Sequence, residues 1–265
     1  MNTHRLILIG LALLNLSSCG TLGGQRWGAS AFQDINMAHI QKVALTSLNS
    51  PQVYLSAGLA AVLAISNQDK KIQSWAVRRN PLFDNAPNAT KLSDILHTLI
   101  GVETFATGLL TPSGKGNKQW IYAKAKGMGA EFVAWQTTLG MTLFLKKITK
   151  RHRPNNFDRE SFPSGHSSSS FALANLSNQN IKAFKLSPPM TVGLQGANTL
   201  LASTVAWARV EGNNHFPVDI LVGASLGHFI SNFVFYMLMG PNYSQSIVSL
   251  GPIDDGYKLS YQQTF

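Results

Sequence analysis

The sequence predicts a mainly α-helical bundle that ends in a small hairpin-like tail. Apolar residues make up 45% of the 265 residues and charged residues only 13%, so the chain can bury a sizeable core. Over residues 35–240, apolar residues recur at helical spacing and the runs stop at Pro or Gly, which is typical of helices. Residues 241–265 instead alternate apolar and polar residues around Asp-Asp-Gly, which favours two short strands.

The N-terminus has the pattern of a lipoprotein signal. Residues 1–18 combine a firm positive charge, Arg5, with an apolar run too short to span a bilayer comfortably. The sequence LSSC, which ends at Cys19, resembles a bacterial lipobox and implies cleavage before a lipidated Cys19. Gly20 follows it, which by resemblance to enteric sorting rules predicts the outer membrane, facing the periplasm. The alternatives are a plain signal peptide and a short uncleaved anchor.

The next segment, residues 19–34, is Gly-rich at its start and predicts a flexible tether. The helical domain follows over residues 35–240. Its first helices are marked by the Ser50-Pro51 cap, the stop at Pro81 and a cap near Thr90. Later helices are predicted over residues 119–150, with a possible bend at 127–129, and over 165–176, 191–210 and 217–239.

Charge and hydropathy narrow the class of protein. The net charge of +10 favours anionic partners, but no basic arm or nucleic-acid-binding motif is present, so nucleic acid is not expected. The single cysteine, Cys19, excludes a disulfide within the chain and a cysteine metal cluster. Mean hydropathy is only +0.03, and Glu131, Asp219 and His228 interrupt the apolar runs. We therefore favour a compact bundle over a polytopic membrane protein.

Two short motifs could bind an anion. Lys146 and Arg153 are seven residues apart, or two helical turns, so both cations project to nearly the same side. Alternatively, they are only favourable cations at a helix C-terminus. The second motif is Pro163-Ser164-Gly165-His166, a turn that enters a helix and presents free N–H groups to an anion. Its simpler interpretation is a capping serine beside an incidental histidine.

A third motif contains Arg209, His215 and Asp219. His215 and Asp219 are four residues apart and can meet across the first turn of a helix. Asp219 could then accept the Nδ1–H of His215 and leave Nε2 as a nucleophile. The alternative is an aspartate that stabilises the helix dipole beside an exposed histidine. Three other histidines have no partner spacing and are expected to have no role in a site: His39, His97 and His228.

In this order, KKITKRHRP, SFPSGH and ARVEGNNHFPVD resemble the type 2 phosphatidic acid phosphatase superfamily. That superfamily includes bacterial class A acid phosphatases and vanadium haloperoxidases. The resemblance extends from Lys146 to about Gly227 and implies a helical bundle of the acid phosphatase/vanadium haloperoxidase type. Two features depart from the family pattern. Ala208 replaces the serine that usually precedes the arginine, and the loop over residues 154–163 is short.

The resemblance also implies roles for individual residues. The phosphoryl group would be held by Lys146, Arg153, Ser164, Gly165 and Arg209. His215 would attack phosphorus to form a phosphohistidine, and Asp219 would orient it. His166 would protonate the leaving alkoxide and then activate water. No metal or other cofactor is implied, and vanadate is expected to inhibit.

We therefore expect a metal-independent phosphatase of the cell envelope that hydrolyses phosphomonoesters, lipid phosphates or lipid pyrophosphates. The lipid anchor would hold it beside lipid substrates. Two alternatives stay open: a vanadate-dependent haloperoxidase and a non-enzymatic lipoprotein that binds anionic lipid. The sequence indicates neither the physiological leaving group nor an oligomeric state.

Overall fold

The computed structural model describes residues 21–22, 25–114 and 118–241, and the backbone of 246–253 and 256–263. Its helices are α1 (Met37–Leu48), α2 (Pro51–Ile65), α3 (Asp69–Arg79), α4 (Ala86–Leu110), α5 (Lys118–Thr149), α6 (Gly165–Ala183), α7 (Pro188–Glu211) and α8 (Pro217–Met239). Strands β1 (Ser246–Ile253) and β2 (Gly256–Gln263) pair antiparallel. The predicted mainly helical fold is confirmed. The predicted signal, residues 1–18, and Cys19 lie outside the described residues.

Helix α6 lies at the centre of the bundle and packs against α4, α5, α7 and α8. It continues to Ala183 instead of ending at the predicted Leu176. Polar residues beyond Leu176 are buried with partners. Ser177 Oγ donates to Glu103 Oε1 at 2.5 Å, and Asn180 Nδ2 lies 3.3 Å from Thr107 Oγ1. Tertiary hydrogen bonds thus keep a polar stretch helical.

Glycines of α8 let this helix approach the start of α6 closely. A Cβ at Gly223 would lie 2.8 Å from the Ser164 carbonyl oxygen, and a Cβ at Gly227 only 2.3 Å from that of Ser168. The Ser164 N–H also donates to the Asp219 carbonyl at 3.0 Å. The second and third motifs therefore lie side by side at one end of the bundle.

Part of the predicted tether packs on the bundle. Trp27 is 1% exposed, and its backbone N–H donates to the Pro112 carbonyl at 3.0 Å. A Cβ at Gly127 would lie 2.1 Å from the Trp27 ring, so this glycine provides space for the indole within α5. Residues from Gln25 onward belong to the folded domain, since the indole buries a large apolar area there.

The outer faces of several helices are apolar. Within the described part of the chain, α8 alone is long and apolar enough to cross a membrane, and 67% of its most apolar window is buried. Helices α1 and α2 pass the same test only as a pair bent by 53°. Large apolar side chains are exposed at Leu55, Leu59, Val62 and Ile65 on α2, Leu99, Val102 and Phe105 on α4, and Phe132, Leu143 and Phe144 on α5. A compact bundle is expected to bury apolar helix faces of this kind, and here they are exposed.

Candidate active site

The three sequence motifs meet at one end of the bundle. Arg153 Nη1 lies 3.2 Å from His215 Nε2, which joins the first motif to the third. A Cβ at Gly165 would lie 3.9 Å from Lys146 Cε, which joins the second motif to the first. Arg153 and Arg209 line one cavity of about 370 Å³. The structure thus brings together the predicted site residues that lie in its described part.

His215 is held as a neutral imidazole with one unprotonated nitrogen. Its side chain is 2% exposed, and its Nδ1 lies 2.7 Å from the Ser161 carbonyl oxygen. Because a carbonyl only accepts, Nδ1 carries the proton and Nε2 keeps its lone pair. Burial lowers the pKa of His215 to about 4; Asp219 opposes this shift, while the positive charges of Arg153 and Lys146 add to it.

The contact between Asp219 and His215 differs from the predicted one. Asp219 Oδ2 lies 3.7 Å from Nδ1 of His215, beyond hydrogen-bond distance. This oxygen instead accepts from Ser161 Oγ at 2.5 Å and from the Phe216 N–H at 2.9 Å. Asp219 therefore holds Ser161, whose carbonyl orients His215. A backbone carbonyl leaves no signal in residue type, so the sequence could not indicate this arrangement.

Arg151 is a further residue that the motif analysis missed. Its Nη1 lies 2.6 Å from Asp219 Oδ1 and its Nη2 lies 2.6 Å from Asp69 Oδ2. Its guanidinium lies 4.4 Å from the centre of the Phe216 ring. Asp69 Oδ1 in turn accepts the Val218 N–H at 2.8 Å. Arg151 thus ties α3 to the start of α8 and fixes Asp219.

Three cations converge from α5, the loop after it and α7. Lys146 is buried and donates to the Glu160 carbonyl; burial lowers its pKa to about 8, and the charge of Arg153 adds to this. Arg153 Nε pairs with Asp158 Oδ1 at 2.7 Å. Arg209, also buried, directs Nη1 to Asp94 Oδ1 at 3.4 Å. Three cations of this kind suit a phosphoryl group, whose charge spreads over three oxygens.

His166 lies in the first turn of α6 beside groups from α4. Its Nε2 lies 2.9 Å from Asp94 Oδ1, and its ring centre lies 5.1 Å from that of His97. His97 was expected to have no role in a site; the structure places it beside His166, and its Nε2 lies 2.8 Å from Ser169 Oγ. Burial lowers the pKa of His166 to about 4, with Arg209 and His97 adding to the shift and Asp94 opposing it. The i, i+3 spacing of Asp94 and His97 was the available signal.

Ser164 caps α6, which was the simpler interpretation of its motif. Its Oγ accepts the Ser167 N–H at 3.4 Å, and its own N–H donates to the Asp219 carbonyl. The first-turn N–H groups that follow, from Gly165 onward, lie at the positive end of the helix dipole. The start of α6 can therefore contribute to an anion site beside Lys146.

These features define a class of protein, and comparison with known families agrees. The model of the PAP2 superfamily matches residues 132–242, a range that contains the predicted site residues from Lys146 to Asp219. The chain is therefore similar to the PAP2 superfamily over this range, which is less than half of its 265 residues.

Particular relatives share parts of the chain. Lipid A 1-phosphatase of Porphyromonas gingivalis is 33% identical over 100 residues, which are 35% of this chain and 21% of that protein. The match thus spans about a fifth of the length of the curated relative. A transmembrane PAP2-type phosphatidylglycerolphosphate phosphatase of Bacillus subtilis has a TM-score of 0.51 and 22% identity, over 75% of this chain and 94% of its own. LpxE of Aquifex aeolicus has a TM-score of 0.43 and 18% identity, over 62% and 92%.

Proposed function

We propose that the chain is a phosphatase that hydrolyses lipid phosphates through a phosphohistidine on His215. The observation that carries the proposal is the unprotonated Nε2 of the buried His215, which accepts a hydrogen bond from Arg153 Nη1 at 3.2 Å. A neutral imidazole nitrogen next to a phosphate-binding cation is the arrangement that an attack on phosphorus requires. The similarity to the lipid A 1-phosphatase supports a lipid substrate.

In the first half of the proposed reaction, Lys146, Arg153 and Arg209 bind the phosphoryl oxygens. The lone pair of His215 Nε2 forms a bond to phosphorus, and the bond from phosphorus to the leaving oxygen breaks. The leaving oxygen takes a proton from His166. The three cations supply the positive charge that stabilises the phosphoryl oxygens in the transition state. The proposal therefore includes no metal.

In the second half of the proposed reaction, the leaving group has left the site and a water molecule occupies its place. His166, now neutral, takes a proton from the water as its oxygen attacks the phosphohistidine. The bond from phosphorus to Nε2 breaks, and inorganic phosphate leaves. The Ser161 carbonyl stabilises the imidazolium of His215 through Nδ1–H, and Asp219 lies at ion-pair distance. Vanadate would bind the same cations and inhibit.

We also propose that the protein acts at the envelope membrane. The exposed apolar faces of α2, α4 and α5 suit contact with lipid better than with water. The predicted lipid on Cys19 would add an anchor by burying methylenes, about 0.8 kcal/mol each. Both features would hold the catalytic end near phosphorylated lipids.

The test is hydrolysis by the full chain, purified in detergent without added metal. The substrates are p-nitrophenyl phosphate, phosphatidic acid and an isoprenyl pyrophosphate. We expect phosphate release from a lipid substrate, its loss in His215→Ala and its retention in His152→Ala, which changes an exposed histidine. Undiminished hydrolysis in His215→Ala would exclude the mechanism. Halide oxidation with vanadate and peroxide would favour a haloperoxidase, and lipid binding without hydrolysis would favour a non-enzymatic lipoprotein.

A further inference from the structure

Asp94 lies outside the three sequence motifs but contacts two of their residues. It is on α4, and a single oxygen, Oδ1, lies 2.9 Å from His166 Nε2 and 3.4 Å from Arg209 Nη1. The Asp94 side chain is 57% exposed, whereas that of Arg209 is only 8% exposed. A half-exposed carboxylate therefore reaches into the cation site from its solvent side.

The contact with His166 defines the state of the imidazole. A carboxylate only accepts, so Nε2 of His166 carries a proton that it donates to Asp94. This bond fixes the plane of the ring and gives it one protonated nitrogen. When the imidazole is doubly protonated, Nδ1 carries the second proton. The Asp94 carboxylate then stabilises the positive charge of the ring.

The other groups around His166 act in the opposite sense. Arg209 of α7 contributes a positive charge, and the His97 ring of α4 lies 5.1 Å from the His166 ring at an angle of 54°. Lys146 of α5 approaches the adjacent Gly165. Burial also disfavours the charged imidazole. Among the described groups that act on His166, Asp94 is the one that favours the protonated form.

Asp94 also borders open space next to the cation site. It lines a second cavity of about 660 Å³ together with Thr90, Lys91 and Asn155. Asn155 and Asn214 line both this cavity and the smaller one that contains Arg153 and Arg209. The two cavities therefore adjoin at these asparagines, and Asp94, which contacts His166 and Arg209, lines the larger one.

We propose that Asp94 is a positioning residue that holds His166 as the proton donor to the leaving group. The proposal rests on the proposed function, since it concerns the same phosphoryl transfer. Asp94 touches neither phosphorus nor the nucleophile and acts through His166. Its carboxylate should matter most when the leaving oxygen is a poor leaving group that needs a proton, and little when the leaving oxygen is stable as an anion.

The test compares Asp94→Asn with the unchanged chain on two phosphomonoesters of different leaving-group acidity. These are phenyl phosphate and p-nitrophenyl phosphate, measured as kcat/KM, which reports only the first half of the reaction. Because general acid catalysis contributes about 10²–10⁴-fold, we expect about a 10- to 100-fold loss on phenyl phosphate. On p-nitrophenyl phosphate the loss should be less than about threefold. The alkaline limb of the pH profile on phenyl phosphate should move to lower pH.

Two further variants complete the experiment. Asp94→Glu keeps the charge and should restore most of the activity on phenyl phosphate. Asp84→Asn removes an exposed carboxylate just before α4. It should change neither kcat/KM on either substrate nor the pH profile. Equal losses of activity on both substrates with an unchanged pH profile would show a structural role for Asp94 and overturn the proposal. Higher activity in Asp94→Asn would also overturn it, since it would show that the carboxylate competes with phosphate. Failure of the proposed function is distinguishable, since the unchanged chain would then release phosphate neither from these esters nor from phosphatidic acid.

Discussion

At the scale of single residues, the site combines predictable residue types with contacts that could not be predicted. The motif spacing identified His215, His166 and the three cations because few sequences present those types in that order. It did not identify the Ser161 carbonyl that binds His215 Nδ1 at 2.7 Å, since a backbone group is the same in every residue. Asp94 was missed because it is on α4, 72 positions before His166, and only the tertiary fold brings them together.

The lowered pKa values predict an acidic optimum. The nucleophile His215 must be neutral and the proton donor His166 charged, and the pKa of each is lowered to about 4. The rate depends on the fraction of neutral His215 multiplied by the fraction of charged His166. This product is largest below pH 6.5, the ordinary pKa of histidine. We expect a bell-shaped profile of kcat/KM on phenyl phosphate with its maximum below that pH. A maximum above pH 7 would contradict the assigned protonation states.

The same pKa values predict how stability depends on pH. A histidine whose pKa falls on folding binds protons more readily when unfolded, so it destabilises the fold as the solution becomes acidic. For His215 the loss begins as pH falls below about 6.5 and is complete below about 4. Thermal melts should show a smaller fall in Tm over this window for His215→Gln than for the unchanged chain. An equal fall in both would contradict the assignment.

Arg153 makes contacts that a lysine cannot reproduce. It pairs with Asp158 through Nε, while Nη1 lies 3.2 Å from His215 Nε2. A lysine has a single ammonium group and cannot make both contacts as the planar guanidinium does. Since a hydrogen bond to a charged group contributes about 1.5–3 kcal/mol, Arg153→Lys should lower kcat/KM by about 10- to 100-fold. Arg159→Lys, at an exposed position, is the matched control, and equal activity in both variants would contradict the assigned role.

At the scale of helices, the sequence predicted which segments are helical better than where they end. Helix α8 was predicted over its full range, because Pro217 starts it and Gly240 follows it. Helix α6 extends past the predicted end because Glu103 and Thr107 supply partners from another helix. A polar stretch with buried partners cannot be told from a helix end by sequence alone.

The approach of α8 to α6 predicts a clear difference between two glycines. A Cβ at Gly227 would lie 2.3 Å from the Ser168 carbonyl oxygen, whereas nothing lies within 4 Å of a Cβ at Gly193 on α7. Gly227→Ala should destabilise by about 1–3 kcal/mol through overpacking. Gly193→Ala should stabilise by about 0.5–1 kcal/mol, since alanine is the better helix former. Thermal melts in detergent give the comparison, and equal Tm values would contradict the packing described.

At the scale of the whole molecule, the helical fold was predictable and its surface was not. Apolar spacing identifies helices but does not say which apolar face is covered, because that depends on the neighbours each helix acquires. The exposed faces of α2, α4 and α5 became visible only in three dimensions. The N-terminal segment was misjudged for a similar reason, since Trp27 is buried against Gly127, 100 positions later.

These exposed faces predict membrane association in addition to any anchoring by the predicted lipid on Cys19. Cys19→Ser should abolish labelling of the chain by radioactive palmitate. The unlabelled variant should nevertheless remain in the membrane fraction after a high-salt wash, because its apolar helix faces still prefer lipid. Release of Cys19→Ser into the soluble fraction would show that the anchor alone holds the protein at the membrane.

The central claim, that His215 forms a covalent bond to phosphorus, is tested most directly by trapping that bond. His166→Ala removes the group proposed to activate water, so the phosphohistidine should accumulate when ³²P-labelled p-nitrophenyl phosphate is added and the reaction is quenched at alkaline pH. We expect the label on the peptide that contains His215 and none in the double variant His166→Ala with His215→Ala. Label on any other residue, or rapid hydrolysis by His215→Ala, would contradict the account.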